Sequence, residues 1–248
     1  MSEEKKVKNS DIIDAMFKAG AHFGYQKSRR NASTTSFIFG VKNKVEIIDL
    51  EKTETQLNKA KEFISELAKA GKQILFVGGK SEARLALKLG AESLDMPFVD
   101  GRWIGGTITN FPEIKKRVAK FEDLQKQKEK GELTKYTKKE RLLIDREISN
   151  LETMFSGIVI MKDIPKALFV IDPKKEFIAV AEAKKAGIPV VALANTDCNI
   201  DLVDFPIVAN DASISSISFF VSEIVKSYKE GKAKRRNKIK FARLIVLI

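Results

Sequence analysis

Acid–base or nucleophilic chemistry in this chain would rest on very few groups. His22 is the only imidazole and Cys198 the only thiol among 248 residues. That excludes a disulfide framework and a Cys/His zinc cluster, and it leaves a thiol–imidazole pair or a Ser-His-Asp triad a single imidazole to use. With no second histidine beside it, His22 reads as a hydrogen-bonded residue that pins its loop. Cys198 has no cationic partner in view and reads as inert. Asp197, Asp201 and Asp204 follow a strand-like run ending at Ala194, where carboxylates could hold Mg²⁺. Aspartates in such a loop more often make turn and cap hydrogen bonds.

Phosphate chemistry has one candidate. Gly78-Gly79-Lys80-Ser81 lies between an apolar run and a helical pattern, where backbone N–H groups can hold an anion. A Walker loop needs a further glycine five positions before Gly79, and Ile74 stands there. No G-x-G-x-x-G occurs there or at Gly101 to Gly106. The turn therefore reads as a tight connection able to hold one phosphate at most. An alternative function stays open: a nucleotide- or sugar-phosphate-binding enzyme, with this turn as cradle and Asp172 or Asp197 as acid or metal ligand.

Cations are plentiful. The formal charge is +12, and residues 226–243 hold nine Lys/Arg against one Glu. That stretch supplies +8 of the total and leaves +4 for the rest. Lys232 to Lys240, with Lys234, Arg235 and Arg236 at its centre, has too little apolar content to fold alone and would bind phosphates by counterion release. Nearer the start, Ala21 to Asn31 interleaves Phe23 and Tyr25 with Lys27, Arg29 and Arg30, a mixture suited to stacking and phosphate contact in an RNA-facing loop. The third cationic place is Gly101 to Phe111, which holds Arg102, the chain's only tryptophan Trp103, and the pair Gly105-Gly106. It reads as a structural pivot with an RNA-facing edge at Arg102. Lys115 and Lys116 follow at the start of the next helical pattern.

The elements that must position these groups follow from periodicity. Ser10 is placed to cap a first helix ending near Gly20, and Ser36–Val41 with Val45–Leu50 reads as a β-hairpin. Thr53 with Gln56 is a capping-box signal for a helix stopped by Gly71. Short apolar runs at Gln73–Val77, Pro97–Val99, Lys166–Ile171, Ile188–Ala194 and Phe205–Val208 predict buried parallel strands. Helical patterns separate them, one ending near Gly90, another running from Glu176 to Ala186, and the last starting near Asp211. Between Pro112 and Phe155, apolar residues spaced three and four apart form two narrow seams, with a capping box at Thr137 and Glu140. They predict an antiparallel coiled-coil hairpin, whose near-balanced charge points first to a solvated, ion-paired exterior. The expected fold is α/β, a doubly wound, mainly parallel sheet with an inserted coiled-coil helical hairpin and a basic C-terminal tail. The expected boundaries are 1–111 with 156–230 for a discontinuous α/β domain, 112–155 for the hairpin and 231–248 for the tail. No run of about 18 apolar residues predicts a membrane span, and the start carries no apolar leader pattern. Cysteine usage suits a reducing cytoplasm.

Several motifs, in order, resemble one family. They are Ala19-Gly20-Ala21-His22-Phe23-Gly24, Ile47-Ile48-Asp49-Leu50, Ile74-Leu75-Phe76-Val77-Gly78 and Arg102-Trp103-Ile104-Gly105-Gly106 with Thr109-Asn110-Phe111. Ala167-Leu168-Phe169-Val170-Ile171-Asp172-Pro173, Gly187-Ile188-Pro189 and Asp201-Leu202-Val203-Asp204-Phe205-Pro206 continue the series. The chain resembles the bacterial family of the second protein of the small ribosomal subunit over nearly all its length. The resemblance implies a Rossmann-like α/β domain with a protruding coiled-coil hairpin and no catalytic role. It implies small-subunit rRNA as partner, together with neighbouring ribosomal proteins, including the large mRNA-binding one built of OB-fold repeats. It implies no cofactor and no metal. Tyr25, Arg30 and Ala32 stand where the family typically has His, Trp and Pro, and Asn195 and Ile200 where it has Asp and Pro.

Overall fold

The computed structural model describes the backbone of residues 3–245 and the side chains of residues 11–236. Helix α1 (Glu3–Lys18) leads into strands β1 (Phe23–Gln26), β2 (Ile38–Lys42) and β3 (Val45–Ile48), which form an antiparallel sheet in the order β1-β3-β2. The β2–β3 turn places Asn43 and Lys44 at positive φ, the twist a two-residue hairpin demands. Then come α2 (Leu50–Ala70), β4 (Ile74–Val77), α3 (Ser81–Glu92) and β5 (Phe98–Val99). Helices α4 (Phe111–Glu129) and α5 (Lys138–Phe155) make the insertion, and β6 (Ala167–Ile171), α6 (Phe177–Lys185), β7 (Val190–Ala194), β8 (Phe205–Val208) and α7 (Ile214–Ile245) complete the chain.

The larger sheet has the order β5-β4-β6-β7-β8, every pairing parallel. Alternation along its strands explains the layering. Ile74, Phe76, Phe169, Leu193 and Ile207 pack into a core with α1, α2, α3 and α7. Leu75, Val77, Leu168, Val170 and Ala192 face the other way, toward α6, Trp103, and Ile114, Phe121, Ile148 and Phe155 of the hairpin. Helices therefore cover both faces of a doubly wound sheet. Chain order reverses between β4 and β6, so the ligand-binding crevice typical of such sheets would open where those two strands end.

Four local expectations are corrected. Ser10 lies inside α1, because the Glu and Lys residues before it favour helix as strongly as those after it. Asp49, not Thr53, caps α2, its carboxylate accepting from the N–H groups of Glu51 (3.1 Å) and Lys52 (3.4 Å). Thr53 Oγ1 instead donates to the Val208 carbonyl (2.6 Å) and Gln56 Oε1 accepts from the Val208 N–H (2.9 Å), so α2 side chains satisfy the open side of edge strand β8. Part of the polar 21–31 segment is strand β1, a four-residue element too short for a period to announce. The helix expected to end near Gly90 runs to Glu92, and Gly90 is where α3 meets Val221 of α7 too closely for a Cβ.

The basic segment also differs from expectation. It continues α7 as helix through Ile245. The cause is upstream anchorage: Tyr228 donates to the Lys72 carbonyl (3.0 Å), and Gly231 lies so close to α2 that a Cβ there would stand 2.5 Å from the Ser65 oxygen. A helix nucleated by packing propagates readily through Lys, Arg and Ala. The apolar end around Phe241–Ile248 lies outside the described side chains.

Candidate nucleic-acid interface

The C-terminal ends of the parallel strands converge on Lys80. Its ammonium lies 2.7 Å from a carboxylate oxygen of Asp172, after β6, and 2.7 Å from one of Asp211, after β8. Burial disfavours the charged amine, yet these two carboxylates more than compensate and hold its pKa above the ordinary lysine value. Asn195, at the end of β7, donates through Nδ2 to Asp211 Oδ1 (3.0 Å). Lys80 thus supplies the positive charge for the one group of potential metal ligands found among the described residues, Asp172, Cys198 and Asp211. Burial and the carboxylates of Asp172, Asp197 and Asp211 push the Cys198 thiol well above its usual range, leaving it protonated and a poor nucleophile or ligand.

The three aspartates read as an Mg²⁺ candidate do not converge. Asp197 pairs with Lys174 (2.8 Å), whereas Asp204 Oδ2 accepts from the N–H of Val190 (2.8 Å), the first residue of β7. The two therefore serve opposite ends of one strand, and Asp201 is exposed. His22 stacks on Phe17, with centroids 4.3 Å apart, and lies tilted against Phe23 at 4.1 Å. Its carbonyl accepts from the Ile48 N–H (2.8 Å), while Nδ1 is buried without a partner and burial lowers its pKa.

The N-terminal loop is tied to the same sheet end. Asn31 N–H donates to the Thr196 carbonyl (2.8 Å), Thr34 Oγ1 to the same oxygen (2.9 Å), and Tyr25 N–H to Thr196 Oγ1 (3.0 Å). These bonds hold Lys27, Arg29 and Arg30 beside the end of β7. Lys27 and Arg29 are exposed, with the Arg29 guanidinium 5.7 Å from the Tyr25 ring centroid. Arg30 is turned inward, 3.4 Å from the fully buried Glu46, so much of its charge is matched within the protein.

Arg102 is exposed on the link from β5 to the hairpin. With Arg84, Lys175 and Gly79 it lines a recess of about 300 Å³ on the crevice side of β4. Lys175 Nζ donates to the Gly79 carbonyl (3.0 Å) and Glu176 accepts from the Gly79 N–H (3.1 Å); burial raises the Glu176 pKa despite that bond. Arg84 and Lys175 escaped the sequence reading. Both follow strand ends, a positional signal visible once the strands are placed.

Trp103 is 5% exposed and packs among Val77, Ile108, Ile114 and Phe155, where the hairpin leaves the body. Its Nε1 donates to Glu182 Oε1 (3.1 Å), which also accepts from the Gly106 N–H (2.7 Å). Glu182 Oε2 accepts from the N–H groups of Ile108 (3.1 Å) and Thr109 (3.2 Å). Gly106 reaches this arrangement at φ +90°, beyond the ordinary range of an L side chain, while Gly105 is exposed. Glu182, another residue the sequence did not single out, fastens the whole link to α6.

Of the hairpin cations, Lys115 donates to the Lys162 carbonyl (3.1 Å) and Lys116 pairs with Glu113 (3.0 Å). In the basic segment Lys234 and Arg236 are exposed. Arg235 crosses Gly71, where a Cβ would stand 1.6 Å from its guanidinium. Gly71 precedes β4, so this cluster sits at the opposite end of the sheet from Lys27, Arg29 and Arg102.

The family model for ribosomal protein S2 matches residues 16–231. The chain belongs to the ribosomal protein S2 family. It is 43% identical over 220 residues to small ribosomal subunit protein uS2 of Sulfurimonas denitrificans, covering 89% of this chain and 85% of that protein. It is 43% identical over 223 residues to uS2 of Roseiflexus sp. (strain RS-1), covering 90% and 85%. With uS2 of Endomicrobium trichonymphae it shares 40% identity over 238 residues, 94% of this chain and 98% of the relative. Against this S2 background the Lys80 cluster reads as an internal brace of the fold.

Proposed function

We propose that the chain grips small-subunit rRNA with the exposed cations at the C-terminal end of its parallel sheet. These are Lys27, Arg29 and Arg102, joined by Arg30 to the extent that Glu46 leaves it charge to share. As a member of the S2 family the chain is a structural constituent of the small ribosomal subunit, works in translation in the cytoplasm and is not an enzyme. Its partners are rRNA and neighbouring ribosomal proteins. The observation supporting the RNA face is the anchoring of a cation-bearing loop to Thr196, which leaves Lys27 and Arg29 exposed on a fixed base. Lys115 and Lys116 extend the contact along the hairpin root, and Lys234, Arg235 and Arg236 supply a second contact at the other end. Trp103, Gly105 and Gly106 form the pivot that sets the hairpin against the body.

The large OB-repeat mRNA-binding protein docks, in this reading, on the three-stranded sheet. There Phe39 is 81% exposed and Val41, two residues on along β2 and on the same face, is also exposed, an apolar surface that no element covers among the described residues. Binding of the purified chain to small-subunit rRNA, measured against salt, tests the RNA reading. Affinity should fall steeply as salt rises, and removing residues 232–248 should flatten the slope. An affinity indifferent to salt would overturn the phosphate mechanism.

A further inference from the structure

A groove of about 610 Å³ opens beside the N-terminal loop. One wall is α6, which presents Phe177, Val180, Ala181 and Lys184 at helical spacings of three, four and seven. Leu202 and Asn31 close the other side. The lining is mostly apolar but lies open: Phe177 is 63% exposed and Leu202 48%. Exposed apolar area beside cations costs stability in the free protein and is recovered when a ligand covers it.

The polar lining is three lysines, two asparagines and one carboxylate, Asp197, which Lys174 engages at 2.8 Å. Asn31 Oδ1 accepts from Ser33 N–H (3.0 Å) and Ser33 Oγ (2.9 Å), and Asn199 Oδ1 accepts from Asp201 N–H (3.0 Å). Asn31 Oδ1 thus has both lone pairs in use and leaves its amino group as a donor, while Asn199 offers its amino group beside one remaining oxygen lone pair. Lys174 is matched by Asp197, but neither Lys184 nor Lys185 has a carboxylate within 4.0 Å among the described residues. The groove therefore offers hydrogen-bond donors, positive charge and an aromatic face. It runs on through Asn31 into the loop that carries Lys27 and Arg29.

We propose that this groove receives an unpaired nucleotide of the rRNA. The base lies against Phe177, with acceptor atoms on its edge toward the Asn31 and Asn199 amino groups. The flanking phosphates are held by Lys184 and Lys185 on one side and by Lys27 and Arg29 on the other. An acidic amphipathic helix could match the charge and, through its carboxylates, the amide donors; what favours the nucleotide is the continuity of the groove, through Asn31, with the exposed cations of the proposed rRNA face. An unstacked nucleotide supplies acceptors at both base edge and phosphate. The inference rests on the rRNA-binding reading and adds a place where a base is read by stacking.

The test photo-crosslinks 4-thiouridine-substituted small-subunit rRNA to the full chain and maps nucleotide-bearing peptides by mass spectrometry. A crosslink is expected on the peptide carrying Phe177 or Leu202. Phe177→Ala should remove it and weaken rRNA binding by at least about fivefold, the smallest effect base–aromatic stacking produces, without changing the salt slope. Lys184→Glu with Lys185→Glu should weaken binding and also lower the slope. Phe177 is largely exposed, so an unchanged circular dichroism spectrum is expected for its variant. Wild-type binding that Phe177→Ala leaves intact, with crosslinks confined to other peptides, overturns the groove proposal while the rRNA reading stands. Failure of the wild-type chain to bind rRNA overturns both. A synthetic acidic amphipathic peptide that binds only when Phe177 is present, while rRNA affinity ignores Phe177, reassigns the groove to a protein and overturns the proposal.

Discussion

Five hydrogen bonds reach the carboxylate of Glu182: from the indole of Trp103, the N–H groups of Gly106, Ile108 and Thr109, and the Thr109 hydroxyl. Burial would raise its pKa, but these donors, led by the Gly106 N–H, outweigh burial and hold it below the ordinary glutamate value. A carboxylate with a depressed folded pKa stabilises the fold above its unfolded pKa, and that stability is lost as pH falls through the folded value. Glu182→Ala should cost roughly 3 kcal/mol, because it strands several buried donors at once. In urea titrations the wild-type chain should lose stability as pH is lowered from about 5 toward 3, and the Glu182→Gln variant should show a shallower loss. Little in the sequence marks Glu182. It is one glutamate in a short helix, and its partners lie 73 to 79 residues away. Arg84 and Lys175 were hidden for the same reason: proximity across strand ends has no period.

At the scale of elements, the long patterned ones were legible and the short ones were not. The Thr137–Glu140 capping box stands where its spacing placed it, with the Thr137 N–H donating to Glu140 (2.9 Å) and Glu140 N–H reaching Thr137 Oγ1 (3.4 Å). The same signal at Thr53 and Gln56 misled, because a hydroxyl and an amide that suit a helix start equally suit the edge of a neighbouring strand. The hairpin helices join side by side through Lys120–Glu147 and Lys128–Asp145, exposed pairs that add little to stability. Where α5 ends, tolerance is low. A Cβ on Gly157 would stand 2.2 Å from the Phe98 carbonyl oxygen of β5. Gly157→Ala should therefore destabilise by about 2 kcal/mol and loosen the hairpin root, whereas Lys128→Ala should change stability by less than about 0.5 kcal/mol. Thermal denaturation of the two variants separates these outcomes.

Across the whole molecule, the parallel sheet and its two helical layers could be read from apolar runs, since burial on both faces leaves a continuous pattern. The distribution of charge over the surface could not. A net +8 tail and a cationic loop look alike in sequence, yet they lie at opposite ends of the sheet. Two clusters that far apart should act independently. Replacing Lys27, Arg29 and Arg102 by alanine should lower the salt slope of rRNA binding by about 2, replacing Lys234, Arg235 and Arg236 should do the same, and the combined variant should show the sum. A combined slope no lower than either alone would mean that only one end meets RNA.

The Lys80 brace has a consequence in time as well as in space. Lys80 and Asp211 are 131 residues apart, and the bonds of Thr53 and Gln56 to Val208 span 155 and 152. Closing such loops is entropically slow, and a chain dominated by them folds late. During synthesis β4 stays unflanked on one side until β6 emerges and brings Asp172 to Lys80, and the Asp211 arm of the brace and the bonds to Val208 must wait until the last strand has left the tunnel. The cationic loop and the basic helix are then set in place in one late, concerted event, so a growing chain offers no finished RNA-binding face before its length is nearly complete.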